Sequence, residues 1–127
     1  MNTDTQVVHV IESLARDRGQ YSPQAYFFVL ECLNYTLEKL RKAGHAGHIT
    51  GHQLLDGILE LGIKSFGFLG CAVFESWGLR KTDDFGDIVF DLVSVQLLSK
   101  QDTDTKADFE GGFDFANAFE GKYLYEE

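Results

Sequence analysis

Three histidines within eight residues, His45, His48 and His52, form the grouping in this chain that comes nearest to metal-ligand spacing. Imidazoles at these intervals can meet on one Zn²⁺ if the Gly/His-rich turn folds back onto the start of the next helix. Such a centre would make the chain a small metal-dependent enzyme. The plainer reading is of surface or capping histidines, because His48 and His52 straddle a proposed helix cap at Thr50 and need not share a face. Four aspartates, Asp83, Asp84, Asp87 and Asp91, could bind Mg²⁺ or carry out acid and base chemistry, since the last three fall on neighbouring turns. The same carboxylates suit the positive end of a helix dipole, which leaves Asp91 as a solvated face residue. Asp102, Asp104, Asp108 and Glu110 fail as a calcium loop, having Ala107 where the turn glycine belongs and Phe113 where the bidentate glutamate belongs. No nucleophile elbow, phosphate-binding glycine loop, dinucleotide fingerprint or Cys-x-x-Cys occurs. Cys71, set between Gly70 and Ala72, reads as inert packing. The balance points away from an enzyme, and no cofactor is called for.

A different kind of site lies near the C-terminus. Phe109, Phe113, Phe115 and Phe119 are spaced through carboxylates and glycines. Aromatic anchors can seat in a partner's apolar groove while the charges stay in water, so these four are the candidate binding residues. Alternatively they cover this domain's own core, and Tyr123, Leu124 and Tyr125 are a frayed end.

These side chains must be carried by elements that the apolar pattern reveals. Val7, Val10, Ile11 and Leu14 recur at helical spacing and stop at Gly19, which predicts a first helix over residues 3–17. Ser22 before Pro23 predicts a cap and first turn, since proline has no amide to lose there. The long second helix carries Tyr26, Val29, Leu30, Leu33, Leu37 and Leu40, and it ends with Lys39, Arg41 and Lys42 before Gly44. Thr50 caps a third helix whose apolar stripe runs from Leu54 to Phe66. Gly57 and Gly62 inside it cost about 1 kcal/mol each relative to alanine and predict close packing. Residues 69–77 give a short fourth helix ended by Gly78. Thr82 and the acidic turn after it start a fifth, with Phe85, Ile88, Val89, Leu92, Val93 and Leu97 on one face. Gly111 and Gly112 suit a two-residue hairpin turn.

The chain has 127 residues, 44% hydrophobic and 13% aromatic, enough for one core and too short for two. The expected fold is mainly α: a single domain of about five helices over residues 1–127, with residues 101–127 as an acidic aromatic tail or hairpin packed on it. Two cysteines, Cys32 and Cys71, among apolar neighbours fit a reducing cytosol, and no leader sequence is visible. The apolar stretch over residues 66–79 is interrupted by glycines and Glu75, so no membrane span is expected. The net charge of −9 is concentrated in residues 101–127, which hold eight acidic residues against two lysines. An acidic field repels phosphate backbones and disfavours nucleic acid.

The segments Ala25-Tyr26, Phe28-Val29 with Glu31, His48-Ile49-Thr50-Gly51, Leu54-Leu55 with Gly57, and Phe66-Gly67 resemble an uncharacterised family of small acidic bacterial proteins. Trp77-Gly78, Thr82, Asp84-Phe85-Gly86, Ile88-Val89-Phe90, Asp108-Phe109, Phe113-Asp114-Phe115 and Ala118-Phe119 extend the resemblance, which covers residues 21–119 and is most specific over 77–98. The family is met in planctomycetes and verrucomicrobia and has no assigned activity. The resemblance implies a bacterial cytosolic protein and supplies no catalytic residues. A second likeness is topological. Leu92-Val93 through Leu97-Leu98-Ser99-Lys100, an acidic turn, and then residues 106–115 look like a winged-helix recognition helix running into its wing. Gln96 departs from that pattern, standing where such proteins often have glycine, and the wing is acidic. The expected function is a non-catalytic protein-interaction or regulatory module, binding a protein partner or forming a homodimer through the second helix or the tail. The runner-up is a winged-helix nucleic-acid binder using Arg80, Lys81 and Lys100 on phosphates.

Overall fold

Helix ends set the frame. The computed structural model describes residues 3–45, 47–99 and 106–121. It has five α-helices: α1 (Thr3–Arg18), α2 (Pro23–Lys42), α3 (Gly51–Phe66), α4 (Gly70–Ser76) and α5 (Asp83–Ser94). A 3₁₀ turn, Gly67–Leu69, joins α3 to α4. Thr50 starts α3 with a reciprocal box: its hydroxyl accepts from the Gln53 amide at 3.1 Å, and the Gln53 side chain accepts from the Thr50 amide at 2.8 Å. Pro23 opens α2 as the sequence predicts, but the Ser22 side chain makes no cap bond. Thr82 likewise does not cap α5. Its hydroxyl instead donates to the Phe109 carbonyl at 2.6 Å and accepts from the Gly112 amide at 2.9 Å. Gly78 turns the chain out of α4 at φ +90°, and a Cβ there would lie 2.3 Å from the Gln20 carbonyl oxygen. Only glycine fits that turn.

α2 is the central helix, packed against α1, α3 and α5. Tyr26, Val29 and Cys32 on α2, Leu54 and Ile58 on α3, and Ile88 and Leu92 on α5 are buried in one core. Gly57 lets α3 approach α2 so closely that a Cβ would lie 1.8 Å from Thr36 Oγ1. Phe74 on α4 is the hub of an aromatic cluster, with Phe28, Phe85, Phe115 and Phe119 at ring-centroid distances of 5.7, 5.4, 5.1 and 5.2 Å. Trp77 leans on the same cluster, 5.5 Å from Phe28.

The C-terminal part corrects the winged-helix expectation. Among the described residues there is no strand: Lys106–Phe109 is a 3₁₀ turn and Asn117–Gly121 a π-helical turn. Gly111 does turn the chain, at φ +59°, but no ladder flanks it. The physical reason lies in the spacing of the phenylalanines. Phe115 and Phe119, four apart, both meet Phe74 in the core; four residues rise about 6 Å along a helical turn but about 13 Å along a strand, so the coiled form lets both rings reach one partner. Residues 101–105 and Tyr123, Leu124 and Tyr125 lie outside the described residues. Gln96, in the glycine position of the winged-helix pattern, adopts φ +64°, the left-handed conformation that glycine takes without cost.

Candidate functional site

The three histidines stay apart. His45, His48 and His52 are all exposed. His45 Nε2 lies 3.1 Å from the His48 carbonyl oxygen, and His52 Nε2 lies 3.7 Å from Asp108 Oδ1. Among the described residues, no three His, Cys, Asp or Glu side chains are placed to share a metal ion. The start of α3 sets His52 beside Asp108, and the three histidines are not gathered as one ligand set among the described residues.

The aromatic anchors are mostly spent inside the chain. Phe109, Phe115 and Phe119 are buried and Phe113 is half-buried. Glycines make room for two of the rings: a Cβ on Gly70 would lie 2.2 Å from the Phe119 ring, and one on Gly51 3.1 Å from the Phe109 ring. Phe109, Phe115 and Phe119 thus cover this chain's own core, the second of the two readings that the sequence allows. Arg80 and Lys81 are exposed, and Lys100 lies outside the described residues. The helix that would enter a nucleic-acid groove, α5, is buried along Phe85, Ile88, Val89 and Leu92.

Its aspartates are engaged as well. Arg18 forms a two-pronged pair with Asp91, Nε to Oδ2 at 2.6 Å and Nη2 to Oδ1 at 2.8 Å, and the Tyr26 hydroxyl donates to Asp91 Oδ2 at 2.7 Å. The Tyr21 hydroxyl stands 3.0 Å from Asp84 and 2.8 Å from Asp87, so its one proton serves one carboxylate at a time. Asp84 also accepts from the Arg80 and Lys81 amides at 2.8 and 3.2 Å. Lys106 pairs with Asp87 at 2.7 Å. Burial, reinforced by the neighbouring aspartates, pushes the Tyr21 and Tyr26 phenols well above their ordinary range, so both remain donors. The hydrogen bond to Asp91 holds Arg18 firmly charged. Burial pulls Asp87 upward, but bonds from Lys106 and Tyr21 and the nearby cations outweigh it and hold this carboxyl below its usual value. The sequence reading of Asp91 as a solvated residue is therefore corrected: it is buried, because Arg18 and Tyr26 supply its donors from α1 and α2.

Two further features escaped sequence reasoning. The first is a cleft of ≈ 440 Å³ between α2 and α3, lined by Tyr35, Glu38, Lys39, Lys42, Glu60 and Lys64. The Tyr35 hydroxyl and Lys39 both donate to Glu60, Lys64 donates to the Tyr35 oxygen at 2.9 Å, and the Lys64 ammonium lies 5.1 Å above the Tyr35 ring. The bonds from Lys39 and Tyr35 hold Glu60 below its usual range. Lys39 and Lys42 read in the sequence only as complements to a helix dipole; α3 supplies Lys39 with Glu60, a partner that local spacing does not show, and Lys42 lines the same cleft.

The second is an apolar corner where α3 meets α4. Phe68 and Leu69 are 53% and 55% exposed, Ala72 is exposed, and Ile63 and Val73 are half-buried. The whole run Gly51–Ser76 is long and apolar enough by composition to cross a membrane, with mean hydropathy 1.5 in its best window, of which 28% is buried. That run is broken at Gly67, where φ is +58°. It joins the apolar stripe of α3 to the apolar stretch over residues 66–79 that the sequence shows. No protein-family model, curated protein or solved structure matches this chain.

Proposed function

We propose that this chain is a non-catalytic protein-interaction module, and that its contact surface is the apolar corner of Gly67–Leu69 and α4 rather than the C-terminal phenylalanines. The observation that carries this reading is the exposure of adjacent Phe68 and Leu69 beside half-exposed Ile63 and Val73. Keeping about half of each of these side chains exposed forgoes about 1 kcal/mol each, and contiguous apolar patches mark interaction surfaces. Local charge fits too: between Ile63 and Val73 the only charged residue is Lys64, in a chain of net charge −9. The resemblance to small acidic bacterial proteins supplies the setting, a bacterial cytosol.

The test uses the tagged full chain as bait in a bacterial lysate, beside Leu69→Asp and, as a control at another exposed apolar position, Val8→Asp. All three should have the same far-UV circular dichroism. A specific partner retained by the parent and Val8→Asp but lost with Leu69→Asp is the expected result, and sedimentation of the same proteins distinguishes a second copy from a different protein. Retention of that partner by Leu69→Asp sinks the reading.

A further inference from the structure

We propose that the cleft between α2 and α3 binds a small phosphate-bearing molecule, gripped by the ammonium groups of Lys39, Lys42 and Lys64 and walled by the Tyr35 ring. This site is separate from the apolar corner and does not depend on the interaction reading. Its first support is charge. In a chain with a surplus of acidic residues, the cleft is lined by three lysines against two glutamates. Glu38 has its own partner in Arg41, at 3.1 Å. Glu60 faces Lys39 and Lys64, Asp56 adds a weaker negative charge near Lys39, and Lys42 lines the same cleft. Lys42, three residues after Lys39 and on the same side of α2, has no ion-pair or hydrogen-bond partner among the described residues.

The second support is convergence. Glu60 already receives donors from Lys39 and Tyr35, and Lys64 stands 4.0 Å from the same carboxylate. Side chains from two helices are thus gathered around an anionic group at one place, with Lys42 left over at its edge. A lysine ammonium is a compact point charge with rotatable donors, which suits the spread oxygens of a phosphate. The volume, ≈ 440 Å³, lies within the range of about 300–1,000 Å³ typical of small-molecule sites. The lysine stems and the Tyr35 ring offer apolar surface for the organic part of the ligand.

The probe is phenyl phosphate, added to the ¹⁵N-labelled full chain in low salt and followed by amide shifts, with sodium chloride as the ionic-strength control. Saturable shifts at residues 35–42 and 60–64 are expected. Lys42→Ala should weaken binding about three- to fivefold, the scale of one exposed ion pair. Glu60→Gln should tighten it, because a competing carboxylate is removed. Lys81→Ala, an exposed lysine elsewhere, should leave it unchanged. Shifts that rise linearly and match those of sodium chloride overturn the proposal, as does binding that Lys42→Ala leaves intact or that Glu60→Gln weakens.

Discussion

Replacing Gly57 by alanine is expected to destabilise this chain, although alanine is the better helix former. Within α3 alone the change gains about 1 kcal/mol. Against α2 it loses more, because the new methyl would lie 1.8 Å from Thr36 Oγ1, where heavy atoms settle at about 3.5 Å. The Thr36 side chain is not free to move aside. It is buried, and its hydroxyl donates to the Cys32 carbonyl at 2.7 Å. Overpacking a core contact costs about 1–3 kcal/mol, and giving up that hydrogen bond about 1 more. After the helix gain is subtracted, about 2 kcal/mol of destabilisation remains, a fall in Tm of about 6–10 °C for a domain of this size. Urea unfolding followed by circular dichroism reads it directly. Thr36→Ala removes the oxygen and leaves a Cβ at 3.2 Å, so a double-mutant cycle should return a coupling of at least about 1 kcal/mol. A Gly57→Ala variant as stable as the parent, or a cycle that is simply additive, would refute the close approach of α2 and α3.

Two other outcomes follow from the same packing and charges. Gln96→Gly should be neutral or stabilising by up to about 1 kcal/mol in urea unfolding, since the position has φ +64°; a clear loss would mean that the Gln96 side chain earns its place. The Asp87 carboxyl is held below its ordinary 3.8, so the unfolded chain takes up this proton at a higher pH than the folded one. Its contribution is therefore full above that value and fades as pH falls through the depressed folded one; the stability gap between parent and Asp87→Asn should narrow from pH 5 to about pH 3, and a constant gap would contradict the pairing with Lys106.

What the sequence made legible is what neighbours in the chain decide. Pro23, Thr50, Gly44 and Gly78 mark ends that the helices respect, because cap and turn chemistry acts over a few residues. Gly57 announced a close contact without saying with what. The C-terminal segment was harder. Two glycines among phenylalanines read as a hairpin, yet the rings pack on glycines of α3 and α4 and on Phe74, partners far away in the sequence. Thr82 shows the same limit: a good capping residue by type, it spends its hydroxyl on Phe109 and Gly112. Asp91 looked solvated because its partner Arg18 is 73 residues away.

That network explains how an acidic helix can pack one face into the core of this fold. α5 turns one face inside on the strength of Phe85, Ile88, Val89 and Leu92; Asp84 and Asp91 go in with it, and Asp87 is half-buried. A buried carboxylate without partners costs several kcal/mol, so each must find donors. Those donors come from different elements: Arg18 from α1, Tyr21 from the turn before α2, Tyr26 from α2 and Lys106 from the C-terminal 3₁₀ turn. A buried pair adds little net stability over an apolar replacement, but loss of one partner strands the other, so the network penalises any placement of those elements that fails to bring all four donors together. Acidic side chains on α5 thus serve the register of the fold. Among the described residues, two features that do face solvent are a lysine-lined cleft on α2 and α3 and an apolar corner between α3 and α4, neither of which the overall negative charge would suggest.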